Sequence, residues 1–197
     1  MLRPVRDLRK QLGVGTPADT CAKLPPPLNG AMDEIEIRRL GPEQAELYRA
    51  VRMEALERCP EAFASTLEIE AARPPEAFAE RLRASAVFVA FEGAEPLGMA
   101  GFYRHDTPKM AHKGVLWGMY VRPEARGRRI ARRLVEAVIA HAAAEVEVLQ
   151  LAVTTSNAAA RALYAGLGFV EYGIEPRSLK SGDVYWDDVL MFRRLGG

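Results

Sequence analysis

The stretch from Val115 to Ala144 constrains this chain more than any other. Val115 to Val121 is an apolar run, and Pro123 closes it. A short polar turn follows, and then Ile130, Leu134, Val138 and Ala142 recur every fourth residue, with Val135 and Ile139 widening the stripe. That order predicts a strand, a turn and an amphipathic helix over about 127–144. A second buried strand, Val146 to Val153, comes next. Strand–helix–strand needs a crossover and favours parallel neighbours.

The flanking segments extend the pattern. Ile35, Ile37 and Leu40 alternate with charges and predict a strand. Gly41-Pro42 opens a helix carrying Leu47, Val51, Ala55 and Leu56, and Pro60 stops it. Pro75 to Ala84 reads as a second helix. Val87–Phe91 and Pro96–Tyr103 read as a hairpin around Glu92-Gly93. Asn157 to Leu167 reads as a helix ended by Gly168, and 169–174 and 184–193 as the closing strands, with parallel neighbours also expected around this helix. The expected architecture is a mixed α/β (α+β) domain of about seven strands and about four helices. Residues 1–31 are different: basic at the start, then the run Pro25-Pro26-Pro27 and Asn29-Gly30. They read as a flexible extension, with the folded domain at 32–197.

Charge excludes some functions. Lys and Arg number 27 against 26 Asp and Glu, so the net charge of +1 gives no global field for nucleic acid or an anionic membrane. No apolar run approaches the ~18 residues of a membrane span. The two cysteines, Cys21 and Cys59, lack metal-ligand spacing and read as reduced thiols in a cytoplasmic protein. His105 and His112 have no third ligand spaced with them, so no metal is expected.

Two constellations carry chemistry. The first is Arg126-Gly127-Arg128-Arg129-Ile130-Ala131 between strand and helix. Unpaired N–H groups and the dipole at a helix start suit a phosphate or pyrophosphate, Gly127 permits a tight turn, and the arginines add positive charge. By itself this is equally well a helix start with a solvated arginine face. The second is Asn157-Ala158-Ala159-Ala160-Arg161-Ala162-Leu163-Tyr164, followed by Gly168-Phe169. Asn157, or Ser156, can cap the helix. Tyr164 lies two turns further on and shares the face of Asn157. Taken singly, these are a cap and a core tyrosine.

In this order and spacing the two constellations resemble the GNAT superfamily of N-acetyltransferases, from about Glu34 to the C-terminus. Its cofactor motif, Arg/Gln-x-x-Gly-x-Gly/Ala after a strand, is matched by Arg126, Gly127, Ile130 and Ala131. Its later motif is matched by Asn157, Ala160, Leu163, Tyr164, Gly168 and Phe169. Within the superfamily, Pro60 to Thr66 and the strand near Asp187 resemble a small-molecule or peptide N-acetyltransferase branch. One residue departs from the pattern: the central glycine of the cofactor loop is Arg129 here.

The resemblance implies an enzyme using acetyl-CoA as co-substrate and a small-molecule or peptide amine as acceptor. Met119, Tyr120, Val121, the loop Arg126 to Ala131 (Arg128 and Arg129 included), Asn157 and Tyr164 would hold the cofactor. Its pantetheine arm would run between Trp117–Val121 and Val148–Val153. A backbone N–H near Met119 or Tyr120 would bind the oxyanion, and Tyr164 would protonate the leaving thiolate. The family often has a glutamate on the strand before the loop, and Gly114 to Tyr120 has none. Glu68 is then the first choice of base, ahead of Glu70, His105, Asp106 and Asp187. A CoA-binding sensor without turnover is the alternative that Arg129 and the missing glutamate favour. A homodimer is the default oligomeric state.

Overall fold

A computed structural model describes residues 35–196; the predicted extension, 1–31, lies outside the described residues. Among the described residues, seven strands form one sheet: β1 (Ile35–Arg39), β2 (Ala86–Glu92), β3 (Glu95–Arg104), β4 (Lys113–Val121), β5 (Val148–Thr154), β6 (Val170–Ser181) and β7 (Val184–Arg194). Their spatial order is β1-β2-β3-β4-β5-β7-β6. The β4–β5 pair is parallel and every other pair is antiparallel. Five helices accompany the sheet: α1 (Ala45–Arg58), α2 (Leu67–Ala71), α3 (Pro75–Ala84), α4 (Ile130–Ala142) and α5 (Ala158–Ala165).

At β2 both faces of the sheet are covered, which explains its near-continuous apolar reading. Val87, Val89 and Phe91 point to one side and pack with Tyr48, Val51, Phe78 and Leu82 of α1 and α3. Ala86, Phe88 and Ala90 point to the other and pack with the α4 stripe of Leu134, Val135 and Val138.

Three expectations change. Helix α4 starts at Ile130 and not at Gly127. Gly127 (φ 79°) and Arg129 (φ 61°) are both left-handed, so the chain can become helical only after them. A fifth helix, α2, is too short to show a period; Thr66 caps it, its side chain accepting from the N–H of Ile69. The strand after α5 is not a neighbour of β5. Strand β7 inserts between β5 and β6 and pairs with both, so β5 and β6 point the same way without touching.

The β4–β5 pair matters most for function. Its pairing covers only Lys113–Val115 against Val148–Gln150. Beyond that the strands separate. On its other side β4 carries a bulge between its pairings with Met99 and Gly101, and Gly118 takes φ 66° there. A bulge bends a strand and increases its twist, and glycine adopts that conformation without the Cβ penalty.

Candidate active site

The gap between β4 and β5 opens into a cleft of about 770 Å³. Met119, Tyr120 and Val121 form one wall, Arg126, Gly127, Arg129, Ile130 and Ala131 a second, and Asn157, Ala160 and Tyr164 a third. Helices α4 and α5 both begin at this cleft. Asn157 is the α5 cap, its side chain accepting from the N–H of Ala160 at 3.1 Å. At the start of α4 the left-handed Arg129 is the N-cap, and no side chain caps that end. The unpaired amides of its first turn are available to an anion.

Of the residues expected to hold a cofactor, all but Arg128 line this cleft. Arg128 turns away and pairs with Glu92. Its neighbour Arg126 stays at the cleft, where its guanidinium donates to the carbonyl of Val121 (3.4 Å) and the Cys59 sulfur (3.6 Å). Arg122, from the same basic cluster, is engaged by Glu54 and Glu95. Part of the cluster is therefore a paired structural face.

Tyr120 contributes backbone to the cleft. Its hydroxyl donates to Glu54 at 2.8 Å, and burial together with that carboxylate pushes its pKa up to about 12.

A smaller cleft of about 400 Å³ continues from the first. The two share Ala62, Met119, Thr154, Asn157, Ala160 and Tyr164. Tyr164 therefore stands where they meet. It is 4% exposed and touches Phe169 edge-on, with ring centroids 5.8 Å apart. Burial raises its pKa well above that of a free phenol, so the hydroxyl carries its proton throughout the physiological range.

The expected bases scatter. Glu68 is exposed on α2 and lines neither cleft. Its own backbone and Thr66 hold its carboxyl below the usual range. Glu70 is buried among Arg52, Arg73 and Arg81. His105 and Asp106 border a third cavity of about 610 Å³. Asp187 accepts from the backbone N–H of Arg177 at 2.7 Å. The carboxylate that does face the smaller cleft is Asp188, which is not among the residues expected from sequence. It is 7% exposed. Its Oδ2 accepts from the Ser178 hydroxyl at 2.7 Å, and its Oδ1 has no partner. Period-two alternation is the signal that could have found it: Val189 and Met191 belong to the core on one face, which puts Asp188 on the other.

Residues 49–169 match the profile of the Acetyltransferase (GNAT) family. The chain belongs to that family and is an acyltransferase by class. Solved structures share its fold. An acetyltransferase of the GNAT family from Streptococcus pneumoniae superposes with a TM-score of 0.72 at 24% identity, covering 83% of this chain and 100% of that one. A Salmonella typhimurium acetyltransferase, solved with its cofactor acetyl-CoA, gives 0.72 at 18% identity over 83% and 95%. The ribosomal-protein-alanine N-acetyltransferase of Brucella melitensis gives 0.67 at 25% identity over 81% and 99%. No described helix is long and apolar enough to cross a membrane.

Proposed function

We propose that this protein transfers the acetyl group of acetyl-CoA to a primary amine of a small molecule or peptide by direct attack. One observation carries the reading: Tyr164 lies at the junction of two clefts, one bordered by two helix starts and the other by a buried carboxylate. The larger cleft takes the cofactor. Backbone amides at the start of α4 meet its pyrophosphate, with Arg126 and Arg129 adding charge. The gap left by β4 and β5 takes the pantetheine arm, and an amide near Met119 or Tyr120 faces the thioester oxygen.

The smaller cleft takes the acceptor. Asp188, and not the exposed Glu68, receives a proton from its ammonium group. The amine nitrogen then bonds to the thioester carbon, and the oxyanion rests on the strand amide. When the tetrahedral intermediate collapses, the C–S bond breaks and Tyr164 gives its proton to the departing sulfur. The phenolate regains a proton from the new amide nitrogen. The products are the N-acetyl amine, free CoA thiol and one proton passed from Asp188 to solvent. Because burial makes Tyr164 a weaker acid than a free phenol, its transfer is driven by thiolate charge appearing in the same dry pocket.

Release of free thiol from acetyl-CoA across a panel of primary amines tests the proposal. Amine-dependent release is expected. Tight acetyl-CoA binding with no release from any amine would favour a sensor in its place.

A further inference from the structure

Among the described residues, six buried side-chain nitrogen or oxygen atoms have no hydrogen-bond partner. Four of them belong to walls of the smaller cleft: Nε and Nη1 of Arg52, Nε1 of Trp117 and Oδ1 of Asp188. Unpaired buried polar atoms are costly and few in native proteins. Their gathering on one cleft marks groups kept for a bound molecule.

The four are sorted by chemistry along the cleft. Asp188, an acceptor, sits at the end nearer the cofactor. It is the register partner of Thr154, and Thr154 lines both clefts. Arg52 and Trp117, donors only, sit at the far end. Both also line the third cavity, which has no residue in common with the larger cleft. The charge of Arg52 is only partly met. Glu70 lies 3.6 Å from it, but the same carboxylate also serves Arg73 at 3.3 Å and Arg81 at 3.2 Å. Three guanidinium groups thus share one carboxylate. Burial lowers the Arg52 pKa, as expected where neighbours do not fully offset its desolvation. The ring of Phe63 covers the guanidinium at 4.7 Å.

We infer that the acceptor is an amine that also carries a carboxylate, an amino acid or a molecule of that kind, with its ammonium group at Asp188 and its carboxylate at Arg52 and Trp117. The inference rests on the transfer reading above and narrows its acceptor class. A cleft of about 400 Å³ suits a molecule of that size.

The test is thiol release from acetyl-CoA with the common α-amino acids and the linear ω-amino acids up to 6-aminohexanoate, each beside its carboxamide. The series varies the amine–carboxylate separation. At the matching separation, kcat/KM for the acid should exceed that for the carboxamide by about tenfold or more, the usual worth of a charge-assisted hydrogen bond. Arg52→Gln should bring that ratio towards one. Equal rates for acid and carboxamide at every separation would overturn the inference and leave amine acetylation standing. No thiol from any amine, with acetyl-CoA binding seen by calorimetry, would overturn the transfer reading and the inference with it. Arg52→Gln leaves Glu70 with one partner fewer and can unfold the protein; the wild-type comparison does not depend on it.

Discussion

The two clefts that meet at Tyr164 are made of different material. The larger is shaped by backbone features: the divergence of β4 and β5, the start of α4, and a turn through Gly127 and Arg129. The smaller is distinguished by side chains from distant elements: buried Arg52 on α1, half-buried Trp117 on β4 and buried Asp188 on β7. Backbone amides recognise an anion whatever side chains surround them, so one such cleft can serve many enzymes that share a cofactor. A cleft defined by side chains changes its ligand with a single substitution. On the proposed reading, the common half of the reaction and the specific half occupy adjoining clefts of different make.

This contrast can be broken or sharpened by substitution. The largest effect belongs to Tyr164, whose side chain would act where the two clefts meet. Tyr164→Phe keeps the ring and removes the hydroxyl. We expect kcat to fall by roughly 10²-fold or more, with acetyl-CoA affinity and thermal stability almost unchanged. A retained kcat, where chemistry limits the wild-type rate, would reduce Tyr164 to a packing residue. Asp188→Asn comes next. It preserves shape and the Ser178 contact, and kcat/KM for the amine should drop about ten- to hundredfold because water can still take the proton. Calorimetry should give an unchanged acetyl-CoA affinity; a loss of cofactor binding would mean that the clefts are not separate.

Arg126→Glu probes the other side. Reversing this exposed charge should weaken acetyl-CoA about tenfold and flatten the salt dependence of binding. The amine KM should stay put. The smallest effect is expected at Arg129. A non-glycine residue in the left-handed region is strained by about 1–2 kcal/mol, and glycine returns about 0.5–1 kcal/mol of that through the freer unfolded chain. Arg129→Gly should therefore raise the melting temperature by roughly 1–4 °C and leave acetyl-CoA affinity within a few-fold. A large gain in affinity would identify the arginine side chain as an obstruction.

The same division governs how much of the molecule is legible in its sequence. Most residues around the larger cleft lie in two short segments, Met119 to Arg132 and Thr154 to Tyr164. Local rules govern them: a turn glycine, a helix cap, a shared helix face. Arg128 departs from expectation because side-chain direction does not follow helical or strand spacing through a turn with two left-handed residues. The acceptor side obeys no local rule. Arg52 and Asp188 come together only through the sheet order, and inserting β7 beside β5 is a long-range choice that periodicity does not encode. Nearness in sequence to the Phe63 loop favours Glu68 as a base, but on α2 it faces solvent while Glu70 turns inward.

The position of β7 has a consequence for biosynthesis. It follows β5 and β6 in the chain but must enter between them. While it is still being made, β5 presents an open edge and β6 has no strand to pair with. The turn and helix start assigned to the cofactor phosphates have by then left the ribosome, whereas Asp188 has not. Those early parts are not enough: the larger cleft also needs β5 and the start of α5, and β5 is completed by β7, so grip on acetyl-CoA and action on an amine should arise together.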